Sequence, residues 1–178
     1  MIEGQRLNAE KKKHIIGVLV EDQPGVLTRL SGMFTRRGFN IDTIIVGKTA
    51  MPGISHIVIS LTGDDRTIEQ VEKQVNKLID TIKIIDLSPK HSVVREHCLV
   101  KISSNPKTRE DLVNLSKLHK AKVLDICEES IIVEIAGGPE KIDNFLGLIK
   151  KYGVKEISRS GINAMQRGLN GNGNGSGK

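Results

Sequence analysis

His14-Ile-Ile-Gly-Val-Leu-Val20, Glu21-Asp22-Gln23-Pro24-Gly25 and Val26-Leu-Thr-Arg-Leu-Ser-Gly-Met-Phe-Thr-Arg-Arg37 follow one another near the start of this 178-residue chain. The first stretch is a short apolar run of the length of a buried strand. The second holds Pro and Gly and breaks it. In the third, Val26, Leu27, Leu30, Met33, Phe34 and Arg37 recur at helical spacing with Arg29 and Arg36 off the stripe, and Gly38 suits the left-handed position that ends a helix. The pattern predicts strand, turn and helix in that order.

Working outward, Phe39-Asn40-Ile41-Asp42-Thr43-Ile44-Ile45-Val46 reads as a second strand. Met51-Pro52-Gly53 turns it back into Ile54–Leu61, where Ile57, Ile59 and Leu61 alternate. Thr67 is placed to cap a second helix with Ile68, Val71, Val75, Leu78 and Ile79 inward, and Ile82–Leu87 closes the set. Strand, helix, strand, strand, helix, strand is the split βαβ, ferredoxin-like unit, a four-stranded antiparallel sheet with both helices on one face. Its other face is expected to be bare and to invite a second copy.

The order repeats after Ser88-Pro89-Lys90. Glu96–Ile102, a helix with Leu112, Leu115 and Leu118 inward, Lys122–Ile126, Ser130–Ala136, a helix with Ile142, Phe145, Leu146 and Ile149 inward, and Val154–Arg159 make a second set. The fold class is α+β, two tandem ferredoxin-like βαββαβ domains at 14–88 and 93–164. Residues 165–178, rich in Gly and Asn, are expected to be a disordered tail.

Charge excludes one class of partner. The net +6 divides into +2 over residues 1–13, −1 over 14–88, +3 over 89–164 and +2 over 165–178. The folded part is thus nearly balanced and offers no phosphate-binding face. There is no Trp and one Tyr, so base-stacking aromatics are absent from the central strands and no nucleic acid is expected. No apolar run approaches a membrane span and residues 1–13 lack a signal-peptide apolar region, so no membrane partner and a cytoplasmic location are expected. Cys98 and Cys127 lie in apolar runs and read as buried, reduced thiols. His91, His97, His119 and the two cysteines show no metal-ligand spacing.

The turn at 21–27 is where chemistry is expected. Free backbone N–H groups and the helix dipole point into it, and Gly25 lets a ligand approach the N–H groups of Gly25, Val26 and Leu27. A carboxylate fits there, and Asp22 suits an ammonium group, which together describe a free α-amino acid. Asn40 offers both a donor and an acceptor. The same residues also serve plain structural roles: Asp22 as a helix cap, Pro24 as an initiator, Asn40 as a turn residue.

Val20-Glu-Asp-Gln-Pro-Gly-Val-Leu27, with Arg36-Arg37-Gly38-Phe39-Asn40-Ile41, resembles the ACT domain of the small regulatory subunits of acetolactate synthase. The resemblance runs on through Gln70–Leu78, Arg95-Glu96, Leu99-Val100-Lys101 and Arg159-Ser160-Gly161. It implies a non-catalytic subunit that activates a large catalytic subunit and confers feedback inhibition by valine or another branched-chain amino acid. It implies a homodimer through the ACT domain, the effector held between Asp22, Gly25, Val26 and Leu27 of one copy and Asn40 and Ile41 of the other. Thiamine diphosphate, magnesium and FAD would sit in the catalytic partner and none in this chain. The family often has Asn where this chain has Asp22. An ACT-domain sensor of a different enzyme or of transcription is the alternative. Catalysis is disfavoured: ferredoxin-like acylphosphatases place Arg in the first loop, where Glu21 and Asp22 repel phosphate here.

Overall fold

The computed structural model describes residues 11–168. They divide into two compact units, 11–92 with 164–168, and 93–163. In the first, β1 (Lys12–Glu21), α1 (Val26–Arg37), β2 (Thr43–Lys48), β3 (Ile54–Gly63), α2 (Asp65–Val75) and β4 (Thr81–Asp86) follow in order. The sheet runs β2-β3-β1-β4, antiparallel throughout. The two helices lie on one face, where Ile16, Val18 and Val20 of β1 and Ile57, Ile59 and Leu61 of β3 meet Leu30, Met33, Phe34, Val71 and Val75.

Gly38 ends α1 at φ +68°. Its N–H donates to Thr35 O at 3.1 Å and that of Phe39 to Phe34 O at 3.0 Å, a Schellman motif. The accompanying apolar contact is the edge-on stack of Phe34 and Phe39, with centroids 6.3 Å apart. This is why β2 starts at Thr43 rather than at Phe39: Phe39 and Ile41 leave the helix as an irregular segment packed against the core. Two residues expected on the inner stripe, Leu27 and Arg37, are exposed. α2 is capped by Asp64, whose carboxylate accepts from Thr67 N at 2.7 Å and Thr67 Oγ1 at 2.6 Å, not by Thr67 itself. The helix stops at Val75, so Leu78 packs from the following loop and Ile79 is 89% exposed.

The far face of this sheet is not bare. Ile15, Val58 and Leu87 are buried, as is Ser60, whose hydroxyl is 2.7 Å from Thr43 Oγ1. Gly17 is the residue this covering requires, since a Cβ there would stand 2.6 Å from His56 Nε2 and 2.9 Å from Leu87 Cδ1.

The second unit repeats the topology with β5 (Ser92–Ser103), α3 (Arg109–Leu118), β6 (Lys122–Ile126), β7 (Ser130–Gly137), α4 (Pro139–Ile149) and β8 (Val154–Gln166), in the order β6-β7-β5-β8. Cys98, Val100, Ile102, Leu112, Ile131, Val133, Ile135, Ile142, Phe145 and Ile149 form its core. On α3, Ser116 is buried in place of Leu118, which is 80% exposed; its hydroxyl donates to Leu112 O at 2.8 Å, so the small polar residue is tolerated. Cys98 is buried, whereas Cys127 is exposed, because it follows the edge strand β6 at the hairpin turn. β8 continues to Gln166, so the tail expected from 165 is strand at its first two residues; the remainder beyond 168 lies outside the described residues. Among the described residues no helix is long and apolar enough to cross a membrane.

Candidate functional site

The β1–α1 turn is shaped from both sides. Asp22 N donates to Gly53 O at 2.8 Å and Glu21 N to Asp80 O at 3.0 Å, so the tip of the β2–β3 hairpin and the start of β4 hold the end of β1. Gly53, at φ +76°, makes the hairpin tip that reaches it. Gly25 then adopts φ +86°, ψ −4°, a left-handed geometry that costs an L residue roughly 1–2 kcal/mol, and α1 begins with no side-chain cap. Asp22 therefore does not cap the helix. Val26 N makes a long 3.4 Å bond to Gln23 O, and Arg29 N bonds Gly25 O at 2.9 Å. Between them the N–H groups of Gly25, Leu27 and Thr28 have no backbone acceptor among the described residues. They stand at the positive end of the helix dipole.

Beside them is a cavity of about 190 Å³ lined by Val20, Glu21, Asp22, Gln23, Gly25, Val26, Leu27, Thr28, Val46, Ser55 and Ile57. Its walls are aliphatic and its rim carries the carboxylates of Glu21 and Asp22. The arrangement can take a small zwitterion: unpaired N–H groups for a carboxylate, acidic side chains for an ammonium group, and branched apolar walls between.

Arg29 buttresses the turn from outside the cavity. Its Nε and Nη2 donate to Asp80 Oδ2 and Oδ1 at 2.6 and 2.8 Å, and the Asp80 side chain is only 7% exposed. Hydrogen bonding to Asp80, aided by its charge against a smaller opposing effect of burial, holds the guanidinium more firmly in its charged form. Arg29 Nη1 lies 2.9 Å from where a Gly25 Cβ would be.

The corresponding turn of the second unit is tied by its own side chains. Asn105 Oδ1 accepts from Lys107 N at 2.9 Å and Thr108 N at 3.1 Å, and Thr108 Oγ1 accepts from Asn105 N at 3.1 Å. Arg109 Nη2 donates to the carbonyls of Cys127 and Glu128 at 2.9 and 2.7 Å. The N–H groups of Glu110 and Asp111 lack a backbone acceptor as those of Leu27 and Thr28 do, so the two turns differ at the N-cap residue: Thr108 N is held by Asn105, and Gly25 N is not.

Of the residues singled out from sequence, Asp22, Gly25, Val26 and Leu27 line the cavity, with Leu27 47% exposed. Asn40 is exposed and Ile41 packs against the core, both beyond the opposite end of α1, and one chain does not bring them to the turn. Val46, Ser55 and Ile57 were missed. Their signal is the register: Val20 pairs Ser55, and Val46 pairs Ile57. Among the described residues no group of three or more His, Cys, Asp and Glu side chains is placed to hold a metal ion.

A family model described as "AHAS small subunit-like ACT domain" matches residues 16–83, and one described as "Small subunit of acetolactate synthase" matches 95–168. The chain is 45% identical over 163 residues to a Methanothermobacter thermautotrophicus protein named "Probable acetolactate synthase small subunit", covering 91% of this chain and 97% of that one. It is 42% identical to the acetolactate synthase small subunit of Mycolicibacterium smegmatis, covering 89% and 93%. The crystal structure of the acetolactate synthase small subunit from Thermotoga maritima is similar at a TM-score of 0.81 and 39% identity, covering 88% of this chain and 98% of that one.

Proposed function

Because this chain belongs to the family of acetolactate synthase small subunits, we propose that it is the regulatory, non-catalytic subunit of that enzyme, activating the large catalytic subunit and conferring feedback inhibition by valine or another branched-chain amino acid. The observation that carries this reading is the uncapped first turn of α1 beside a cavity with aliphatic walls. The N–H groups of Gly25 and Leu27 take the carboxylate, Asp22 faces the ammonium, and Val20, Val26, Val46 and Ile57 receive the branched side chain. Thiamine diphosphate, magnesium and FAD belong to the catalytic partner, and the complex works in the cytoplasm.

A homodimer completes the site. α1 has 12 residues and rises about 18 Å, so Asn40 and Ile41 reach a ligand at Gly25 only from a second copy. β2 is an edge strand with Ile44 and Val46 exposed, the kind of edge that accepts another strand, and it supports pairing of two sheets there. A ligand held by both copies favours one arrangement of the pair, and only that differential affinity can reach the attached enzyme. The coupling is about 1–3 kcal/mol and reciprocal. The second unit contributes to holding the catalytic subunit.

Titration calorimetry with valine, isoleucine and leucine, with and without the large subunit, tests the reading. Binding of one ligand per chain, with affinity changed about 5- to 150-fold by the large subunit, is expected. Absence of binding by all three, or binding indifferent to the large subunit, refutes it.

A further inference from the structure

Ser55 stands on the helix-facing side of β3, opposite Val20 and Lys48, where the sheet meets the first turn of α1. It is 5% exposed and lines the cavity. Among the described residues no group of the chain hydrogen-bonds its hydroxyl. Other buried serines are paired: Ser60 to Thr43, Ser104 to Arg109 Nε, Ser116 to Leu112 O. Ser92 is also unpaired, but it does not border this cavity. The Ser55 hydroxyl is open to the cavity rather than sealed in the core, so water or a ligand there supplies its bond. Valine or leucine at position 55 would only continue the aliphatic wall of Val20, Val46 and Ile57, whereas the serine sets a free donor in the same cavity as the unpaired N–H groups of the turn.

We propose that Ser55 is a specificity-determining residue for the amino-acid effector, its hydroxyl donating to the ligand carboxylate alongside the N–H groups of Gly25 and Leu27. This rests on the amino-acid reading of the cavity and adds the donor that distinguishes a free carboxylate from other polar groups. A carboxylate has about four lone-pair sites and accepts only, so a third donor is accommodated. The ammonium is left to Asp22, which accepts only. The hydroxyl makes the apolar floor of the cavity selective for a free amino acid over an amide or a plain aliphatic solute.

The test uses the full chain and its Ser55→Ala variant, titrated with valine, isoleucine and leucine and with the amide of whichever binds most tightly. Melting without ligand is followed in parallel. The variant should melt at or slightly above the temperature of the parent, because it loses a hydroxyl that had no partner. Its affinity for the amino acid should fall about 10- to 100-fold, the loss of one hydrogen bond to a charged group. The fall for the amide, whose carbonyl accepts only a neutral hydrogen bond, should be smaller, about 2- to 10-fold. Unchanged amino-acid affinity overturns the proposal. So does an equal loss for acid and amide, which would mean that Ser55 does not read the carboxylate. A melting temperature or dimer dissociation constant that falls in step with affinity also overturns it, since Ser55 would then be structural. If the parent binds none of the three amino acids, the reading of the cavity itself fails, and this proposal with it.

Discussion

α1 begins and ends on a glycine in the left-handed region, Gly25 at φ +86° and Gly38 at φ +68°. Alanine at either position must carry a Cβ into that geometry. The penalty is about 1–2 kcal/mol at each end, and a loss of this size lowers the melting temperature of a domain of 60–100 residues by about 5–15 °C. The surroundings differ. A Cβ on Gly38 meets nothing within 4 Å, so Gly38→Ala reports the backbone alone. A Cβ on Gly25 comes within 2.9 Å of Arg29 Nη1, the end of a side chain that Asp80 already holds by two short bonds, so Gly25→Ala should be the more damaging of the pair. Function should separate them further. Gly38→Ala leaves the cavity's own N–H groups in place and reaches the effector only through Asn40 and Ile41 of the second copy; Gly25→Ala weakens binding directly by moving the N–H groups. Gly25→Asp has the same strain as Gly25→Ala and adds a carboxylate where the ligand's is expected, so the difference between those two variants isolates charge from geometry. Thermal melts of the three full-length variants, followed by calorimetric titration, make the comparison. Should Gly25→Ala and Gly38→Ala both melt within about 2 °C of the parent, the argument from backbone geometry is refuted.

Four further outcomes are expected. Lys120 holds φ +54° at the end of α3 in a turn like that at Gly38, so Lys120→Gly should raise the melting temperature, by up to about 1 kcal/mol of stability; a fall would show that the lysine side chain matters more than its backbone. Burial lowers the His56 pKa, so the unfolded chain takes up the proton first as pH falls below about 6.5. That contribution is fully present above the unfolded value and is lost as pH drops through the folded one. His56→Gln should therefore flatten the decline in melting temperature between about pH 7 and pH 5, and an unchanged slope would exclude it. Cys127 is exposed, and its hydrogen bond to Asp125 raises the thiol's pKa, as does the carboxylate's charge; a thiol reagent should label it in the native chain, leave Cys98 unlabelled, and react faster with the Asp125→Asn variant. Arg159 bonds the Glu96 carboxylate through Nε at 2.7 Å and Nη2 at 2.6 Å, with the Glu96 side chain 4% exposed. Arg159→Met should cost about 2–3 kcal/mol by denaturant melts, and the double variant with Glu96→Leu should recover part of it.

The architecture was legible because its strands alternate or run apolar and its helices keep a 3.6-residue stripe. What failed, failed locally. Phe39-Asn40-Ile41 alternates like a strand, yet Gly38 closes a Schellman motif that spends those residues on capping and core contacts. Asp64 and Thr67 are both good caps, and the aspartate takes the position because its carboxylate reaches the N–H three residues on. The bare sheet face was an expectation of topology alone; Leu87 and His56 lying against Gly17 are facts of side-chain packing. In the site, the turn was readable from Pro24 and Gly25. The Arg29–Asp80 pair joins residues 51 apart and left no periodic trace. The cavity wall needed the exact pairing of β1, β2 and β3, which hydrophobic alternation fixes only to within two residues.

The two turns also differ in what sets the occupancy of their donors. Asn105 Oδ1 binds the N–H groups of Lys107 and Thr108 as a carboxylate oxygen would, but it is tethered to them, so its effective concentration is set by covalent geometry and no free solute competes with it. In the first unit no side chain does this for the N–H of Gly25. On the proposed reading, what fills that donor depends on the bulk concentration of a molecule with the right charges, and a bond that is permanent in the turn of one unit becomes, in the other, a measure of how much metabolite is present.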